Sequence, residues 1–304
     1  MIDATAVAEY VRARRAEVEA ALWTLLPAAA DASIALAEAM RYSLEAGGKR
    51  LRPALCLASA EAVGGARSHA LPAACAIELI HTYSLIHDDL PAMDNDTMRR
   101  GKPTLHVVAG EGMAILAGDG LLTQAFHVLA SSSADSGLVL RAIRVIAEAA
   151  GPTGMVGGQA IDLASVTPDP RGHAAPILDA AGLAAMHAKK TGALIRASAV
   201  SGAVLGGGVE RQIAAIDAAA AEFGLAFQIV DDILDVEGDA AQLGKSTGKD
   251  AAAGKPTYPA FFGIAKSRSM ANDCIARAAD ALAGAGMADS WLLGIGRWIV
   301  ERRN

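Results

Sequence analysis

Apolar residues recur along this chain at intervals of three and four, and no stretch shows the strict alternation that marks a half-buried strand. In LPAACAIELIHTYSLIHDD (residues 71–89), Ile77, His81, Ser84 and Asp88 step by four, three and four, so they share one helix face. In AEFGLAFQIVDDILD (residues 221–235), Gly224, Gln228, Asp231 and Asp235 step in the same way. Each stripe is small or apolar along most of its length and turns polar at its C-terminal end, which points to a pocket between two long helices. Clusters of Gly, Pro, Ser and Asp at residues 45–53, 63–69, 94–104, 131–137, 165–176, 205–210 and 237–257 separate the helical segments. No fixed-period repeat and no composition shift divides the chain. The expectation is an all-α helical bundle forming a single domain over residues 1–304.

Composition strengthens that picture. Hydrophobic residues make up 53% and aromatics only 4%, with Ala throughout, which favours closely packed helices over sheet. The formal net charge of −6 argues against a nucleic-acid partner, because such proteins neutralise phosphates with a basic face. Cys56, Cys75 and Cys274 are scattered and odd in number, so they read as small core residues in a reducing compartment. Apolar runs are cut by Arg141, Arg144 and Arg196, and no membrane span is expected. The first residues carry Asp3, Glu9, Glu17 and Glu19, unlike a signal or transit peptide, and a cytoplasmic location follows as the default.

The candidate chemistry begins with LIHDDLPAMDND (residues 85–96), where Asp88, Asp89 and Asp94 gather at the end of an apolar run. Carboxylates crowded at a core edge repel one another unless a cation sits among them. A six-residue offset points Asp94 away from Asp88 on a regular helix, but Pro91 forbids regularity there, and a kink or wider turn returns Asp94 to Asp88. The second cluster, Asp231, Asp232 and Asp235, converges on an unbroken helix. Oxygen-only donor sets suit hard divalent cations, Mg2+ in particular, which shares itself among a few carboxylates, waters and substrate phosphates. His87 offers a softer donor without a zinc-spaced partner.

Basic residues flank both clusters. GGKRLRP places Lys49, Arg50 and Arg52 before Pro53, a residue favoured at helix starts, where free N–H groups also face an anion. Arg99 and Arg100 follow the first cluster, Lys190 and Thr191 precede a Gly inside a helical run, and Lys245, Lys249 and Lys255 follow the second cluster. The arrangement reads as two diphosphate sites, one gripped through metal and one by Arg and Lys directly.

Seven stretches then carry a family resemblance: GGKRLRP, HTYSLIHDDLPAMDNDTMRRGKPTLH, AILAGDGLL, MVGGQAIDL, KKTGALIRAS, FGLAFQIVDDILD and LGKSTGKDAAAGKPTYP. In this order they resemble the trans-isoprenyl diphosphate synthases, closest to the bacterial farnesyl diphosphate synthases. The resemblance implies an all-α bundle around a deep central cavity, a homodimer, and three Mg2+ ions bridging the two motifs and an allylic diphosphate. Asp88, Asp89, Asp94, Asp231, Asp232 and Asp235 would supply or support the metal ligands. Arg99, Lys190, Lys245 and Lys255 would hold the allylic diphosphate. Lys49, Arg50, His81 and Arg100 would bind isopentenyl diphosphate, helped by Arg302 or Arg303. Thr191 and Gln228 would face the reacting carbons.

The implied reaction is a head-to-tail condensation of isopentenyl diphosphate with dimethylallyl or geranyl diphosphate to farnesyl diphosphate. Tyr83 lies five residues before Asp88, about 7.5 Å along a helix, and a phenol ring there can floor the cavity. Tyr83 and Ser84 are the candidate chain-length residues. A geranylgeranyl or geranyl diphosphate synthase carries the same motifs and differs in cavity depth. A non-catalytic partner subunit is the alternative from another class. Gln159 and Asp162 are candidates for positioning metal-bound water or the lysines, and Asp119 reads as a buried partner for a cation.

Overall fold

The structure, a computed structural model, describes residues 2–28, 33–166, 172, 176, 178–237 and 257–302. Its described α-helices, numbered in chain order, are α1 (Ala4–Leu25), α2 (Ile34–Glu45), α3 (Leu51–Ala62), α4 (Arg67–Asp88), α5 (Leu105–Ala109), α6 (Glu111–Ala130), α7 (Ser136–Ala150), α8 (Met155–Val166), α9 (Ala180–His187), α10 (Ala193–Leu205), α11 (Glu210–Glu237), α12 (Tyr258–Phe262), α13 (Ile264–Gly284) and α14 (Trp291–Glu301). A π-helical turn, Ala188–Gly192, joins α9 to α10. The strand structure described is one hairpin of two-residue strands, β1 (Met98–Arg99) and β2 (Lys102–Pro103).

Local chemistry starts several of these helices. Asp3, Asp135, Asp179 and Ser290 each accept a backbone N–H from the first turn that follows, which satisfies donors a helix start leaves unpaired.

Packing centres on α10. Its residues from Ala197 to Leu205 are all buried, and it lies against α3, α4, α7 and α11. Gly202 has no side chain because the backbone carbonyl of Cys56 on α3 occupies the space a Cβ would take. One apolar cluster joins α1, α3, α10, α11, α13 and α14, and a second joins α1, α2, α3, α4, α6, α7 and the two ends of α10. Helices α3 and α10 contribute to both, so the two clusters share a wall. All three cysteines are free and buried.

Two helices correct the reading of the apolar runs. By length and composition, α6 and α11 are apolar enough to cross a membrane, with mean hydropathy 1.3 and 1.6. In α11 the apolar length faces the core, with Phe223, Ala226, Ile229 and Ile233 at 1% exposure or less. In α6 part of it is open, with Ile115 43% and Leu116 55% exposed.

Candidate functional site

Helix α4 ends at Asp88, and the chain then doubles back. Leu90 N–H donates to His87 O at 3.1 Å, Asp94 N–H to Asp88 O at 2.9 Å and Asn95 N–H to Leu90 O at 3.1 Å. This wide turn, completed by Asn95 at φ 50°, brings the Asp94 backbone against Asp88. Burial pushes the Asp88 carboxyl up to about 6; Lys190 opposes that rise, and Asp94 adds to it. Asp89 is 4% exposed and accepts Arg99 Nε on both oxygens, at 2.8 and 2.9 Å. It therefore orients Arg99 and supports the site from behind, while Asp88 and Asp94 remain to face it. His87 points elsewhere: its Nε2 lies 3.2 Å from Ile115 O on α6 and its ring meets Tyr83 edge-on.

The second motif stays on α11. Asp232, 3% exposed, accepts Gln228 Nε2 at 2.8 Å and the Tyr258 N–H at 2.9 Å. Asp231 accepts Arg302 Nη2 at 2.8 Å, and Asp235 is half-buried one turn on. Thr191 Oγ1 donates to Gln228 Oε1 at 3.2 Å, so the π-helical turn is tied to α11 through the Gln228–Asp232 pair. That turn is held closely: a Cβ on Gly224 would sit 2.9 Å from Gly192 Cα, and a Cβ on Gly158 would enter the Lys190 backbone. π turns of this kind redirect side chains at functional sites. Here Lys190 pairs with buried Asp162 of α8 and its charge also reaches Asp88 of α4. Asp162 thus positions the lysine, and the turn links the two acidic motifs.

The basic side forms around the hairpin. Arg100 and Gly101 are its two loop residues, both at positive φ (52° and 76°), the backbone a tight hairpin demands. Arg100 donates to Gly47 O, and the bare Gly48 leaves room for its guanidinium. Across from it, Arg52 Nη1 lies 3.4 Å from His81 Nε2. Burial, then Arg52 and Arg100, hold His81 well below its usual range, so it stands neutral among cations. Burial lowers Arg52 to about 10, with Arg100 adding to the effect and Glu78 and Asp231 opposing it.

Several sequence expectations change in detail. Arg50 does not join this basic face: it is 4% exposed, donates to Glu78 Oε1 at 2.5 Å and to Leu44 O at 2.6 Å, and caps α3 at φ 47°. Arg52, one residue past buried Leu51, lies beside His81 instead; all three cations of GGKRLRP are visible in the sequence, but not which one turns inward. Lys49 is exposed at the same loop. Arg302 is drawn to Asp231 and Phe227 O and stacks over the Phe227 ring at 4.0 Å, so it supports α11. Ser84 gives its hydroxyl to His81 O at 2.9 Å, as helix serines do. Tyr83 is 7% exposed and its hydroxyl has no hydrogen bond among the described residues. Asp119 is not buried: its side chain is 61% exposed, 3.9 Å from His87 Nε2. Lys245, Lys249, Lys255 and Arg303 lie outside the described residues.

Among the described residues no three His, Cys, Asp or Glu side chains converge into a metal group of their own. The motif carboxylates that stay partly or fully open, Asp88, Asp94, Asp231 and Asp235, form a sparse, oxygen-only donor set. Such a set fits Mg2+, which keeps waters and takes phosphate oxygens as ligands.

The polyprenyl synthetase family model matches residues 34–283. The chain is 49% identical over 254 residues to the heterodimeric geranylgeranyl pyrophosphate synthase large subunit 1 of Arabidopsis thaliana, covering 81% of this chain and 66% of that protein. It is 48% identical over 236 residues to the farnesyl diphosphate synthase of Geobacillus stearothermophilus, covering 77% of each. Its fold matches the FPP/GFPP synthase of Zymomonas mobilis with a TM-score of 0.84 at 36% identity, over 98% of this chain and 100% of that one. The chain belongs to the polyprenyl synthetase family, the all-α trans-isoprenyl diphosphate synthases, which are prenyltransferases acting on diphosphates and dependent in general on Mg2+.

Proposed function

We propose that this enzyme condenses isopentenyl diphosphate with dimethylallyl or geranyl diphosphate and stops at farnesyl diphosphate. The observation that carries this reading is Tyr83: its ring is buried on α4 five residues before Asp88, in a helix whose end holds the first acidic motif. A chain growing away from a diphosphate at Asp88 toward the helix start meets that ring about 7.5 Å along the axis.

Asp88, Asp94, Asp231 and Asp235 would hold three Mg2+ ions with the allylic diphosphate, and the bound metal supplies charge neutralisation as diphosphate leaves. Arg99, fixed by Asp89, and Lys190, fixed by Asp162, bind the same leaving group. Arg52, Arg100, Lys49 and neutral His81 bind the isopentenyl diphosphate. Thr191 and Gln228 present oxygen dipoles to the cationic carbon. The apolar wall excludes water, and the C2 proton passes to the released pyrophosphate. The catalytic unit is a homodimer that pairs through the exposed apolar side chains of α5, α6 and α7, Val107, Val108, Ile115, Leu116 and Leu140. The heterodimeric relative makes a mixed dimer the alternative.

Incubation with labelled isopentenyl diphosphate and each allylic starter, followed by product sizing, tests the reading. A C15 product that becomes C20 or longer in Tyr83→Ala supports it. A C20 product from the unaltered enzyme overturns it in favour of geranylgeranyl diphosphate synthesis, which the names of several relatives favour. Absence of pyrophosphate release from either starter favours the non-catalytic subunit.

A further inference from the structure

We infer that His87 is a positioning residue for product length: it braces the Tyr83 ring edge-on from the C-terminal side of α4, and the AILAGDGLL segment of α6 exists in part to seat it. This rests on the reading of Tyr83 as the cavity floor. Tyr83 lacks a hydrogen bond among the described residues, so its ring orientation is set by packing alone. The partner in contact with its ring system is His87, one turn on, with centroids 5.6 Å apart and planes at 81°. An edge-to-face pair of this kind restrains both rings.

His87 is itself held at its far side. Nε2 lies 3.2 Å from Ile115 O, the geometry of an Nε2–H donating to a helix carbonyl, with Asp119 3.9 Å away. The space it enters is available because residue 118 is Gly; a Cβ there would collide with the imidazole. The chain of restraint runs from Gly118 and Ile115 through His87 to Tyr83. It gives a use to the Gly118-Asp119 pair, which the catalytic roles leave unused, and it explains why a histidine beside Asp88 turns away from the acidic motif.

The test compares product distributions, because a merely structural role would lower total turnover without changing the C20 to C15 ratio. His87→Ala and Gly118→Ala are each expected to raise that ratio about three- to tenfold, the weight of one aromatic contact. Both are then repeated in the Tyr83→Ala background, where the ratio should no longer respond. An unchanged ratio in His87→Ala, with Tyr83→Ala still lengthening the product, overturns the role of His87 and leaves the floor intact. An equal rise with and without Tyr83 overturns it also, since His87 would then act on the cavity directly. If Tyr83→Ala itself leaves product length unchanged, the floor reading fails and this inference falls with it. Should Gly118→Ala not fold, His87→Ala and His87→Phe decide: the Phe ring, which keeps the edge contact, should retain the C15 product.

Discussion

In the motif that ends α4, Asp94 returns to Asp88 through a turn closed by Asp94 N–H on Asp88 O, whereas Asp231 and Asp235 stack four apart on a helix that continues to Glu237. Both nonetheless divide an adjacent Asp pair in the same way. Asp88 and Asp231 stay partly open, although Asp231 accepts Arg302, while Asp89 and Asp232 are buried at 4% and 3% exposure with both oxygens engaged. What differs is the partner. Asp89 grips the side chain of Arg99, itself a candidate diphosphate ligand; Asp232 grips the backbone N–H of Tyr258, the first residue of α12. On the proposed reading, the first motif ties metal binding to anion binding, and the second ties it to the start of α12.

The largest effect should come from the carboxylates proposed as metal ligands, one taken from each motif. Asp88→Asn and Asp235→Asn are each expected to lower kcat by about a thousandfold or more, because each removes an oxygen ligand from charge stabilisation in the transition state. Asp235→Asn should melt near the unaltered enzyme, whereas Asp88→Asn, which removes a carboxyl held up at about 6 by burial, should melt higher in metal-free buffer at neutral pH. Pyrophosphate release under saturating Mg2+ measures this. A large loss in one motif only would break the symmetry between them.

The buried pair should part company. Asp232→Ala strands the Tyr258 N–H and the Gln228 amide, and is expected to cost about 1–3 kcal/mol in urea unfolding with little change in KM for the allylic substrate. Asp89→Ala frees Arg99 and should cost a comparable amount while raising the allylic KM markedly. Equal KM effects would remove the distinction drawn between anion coupling and support of α12.

The pH response is smaller and belongs to the first motif. The folded metal-free chain holds the Asp88 proton more tightly than the unfolded chain, with a carboxyl near 6 against an ordinary value of about 4. The resulting destabilisation is present above about pH 6 and is relieved as pH falls toward 4, so this carboxyl makes metal-free protein more stable on acidification across that window. In Asp88→Asn the slope between those values should flatten. Thermal melts of both proteins in chelator at several pH values measure the difference.

Much of this was legible before the structure. Period-3.6 stripes marked α4 and α11, and Pro91 indicated a turn after Asp88. Spacing could not distinguish Asp88 from Asp89, or Arg50 from Arg52, because the difference is which neighbour turns inward. That choice is made by Glu78 on α4, 28 residues from Arg50, and by Arg99 on the hairpin, beyond the turn that follows Asp89. The sequence likewise displays the charge of Arg302 but not its pairing with Asp231, 71 residues away.

The smallest effect tests the turn that only the first motif needs. Asn95 sits exposed at φ 50°, so its side chain adds no packing and its conformation is what the site uses. Asn and Gly tolerate that region, while a β-branched residue pays about 1–2 kcal/mol to enter it. Asn95→Gly should therefore leave kcat unchanged, and Asn95→Val should lose that stability together with a modest part of kcat as Asp94 drifts from Asp88. The matching position beside Asp235 is Val236, 53% exposed on a regular helix, and Val236→Ala should change neither quantity beyond a few tenths of a kcal/mol gained from helix propensity. If Asn95→Val keeps full kcat, the turn is not what sets Asp94, and the contrast between a folded-back motif and a helical one has no catalytic consequence.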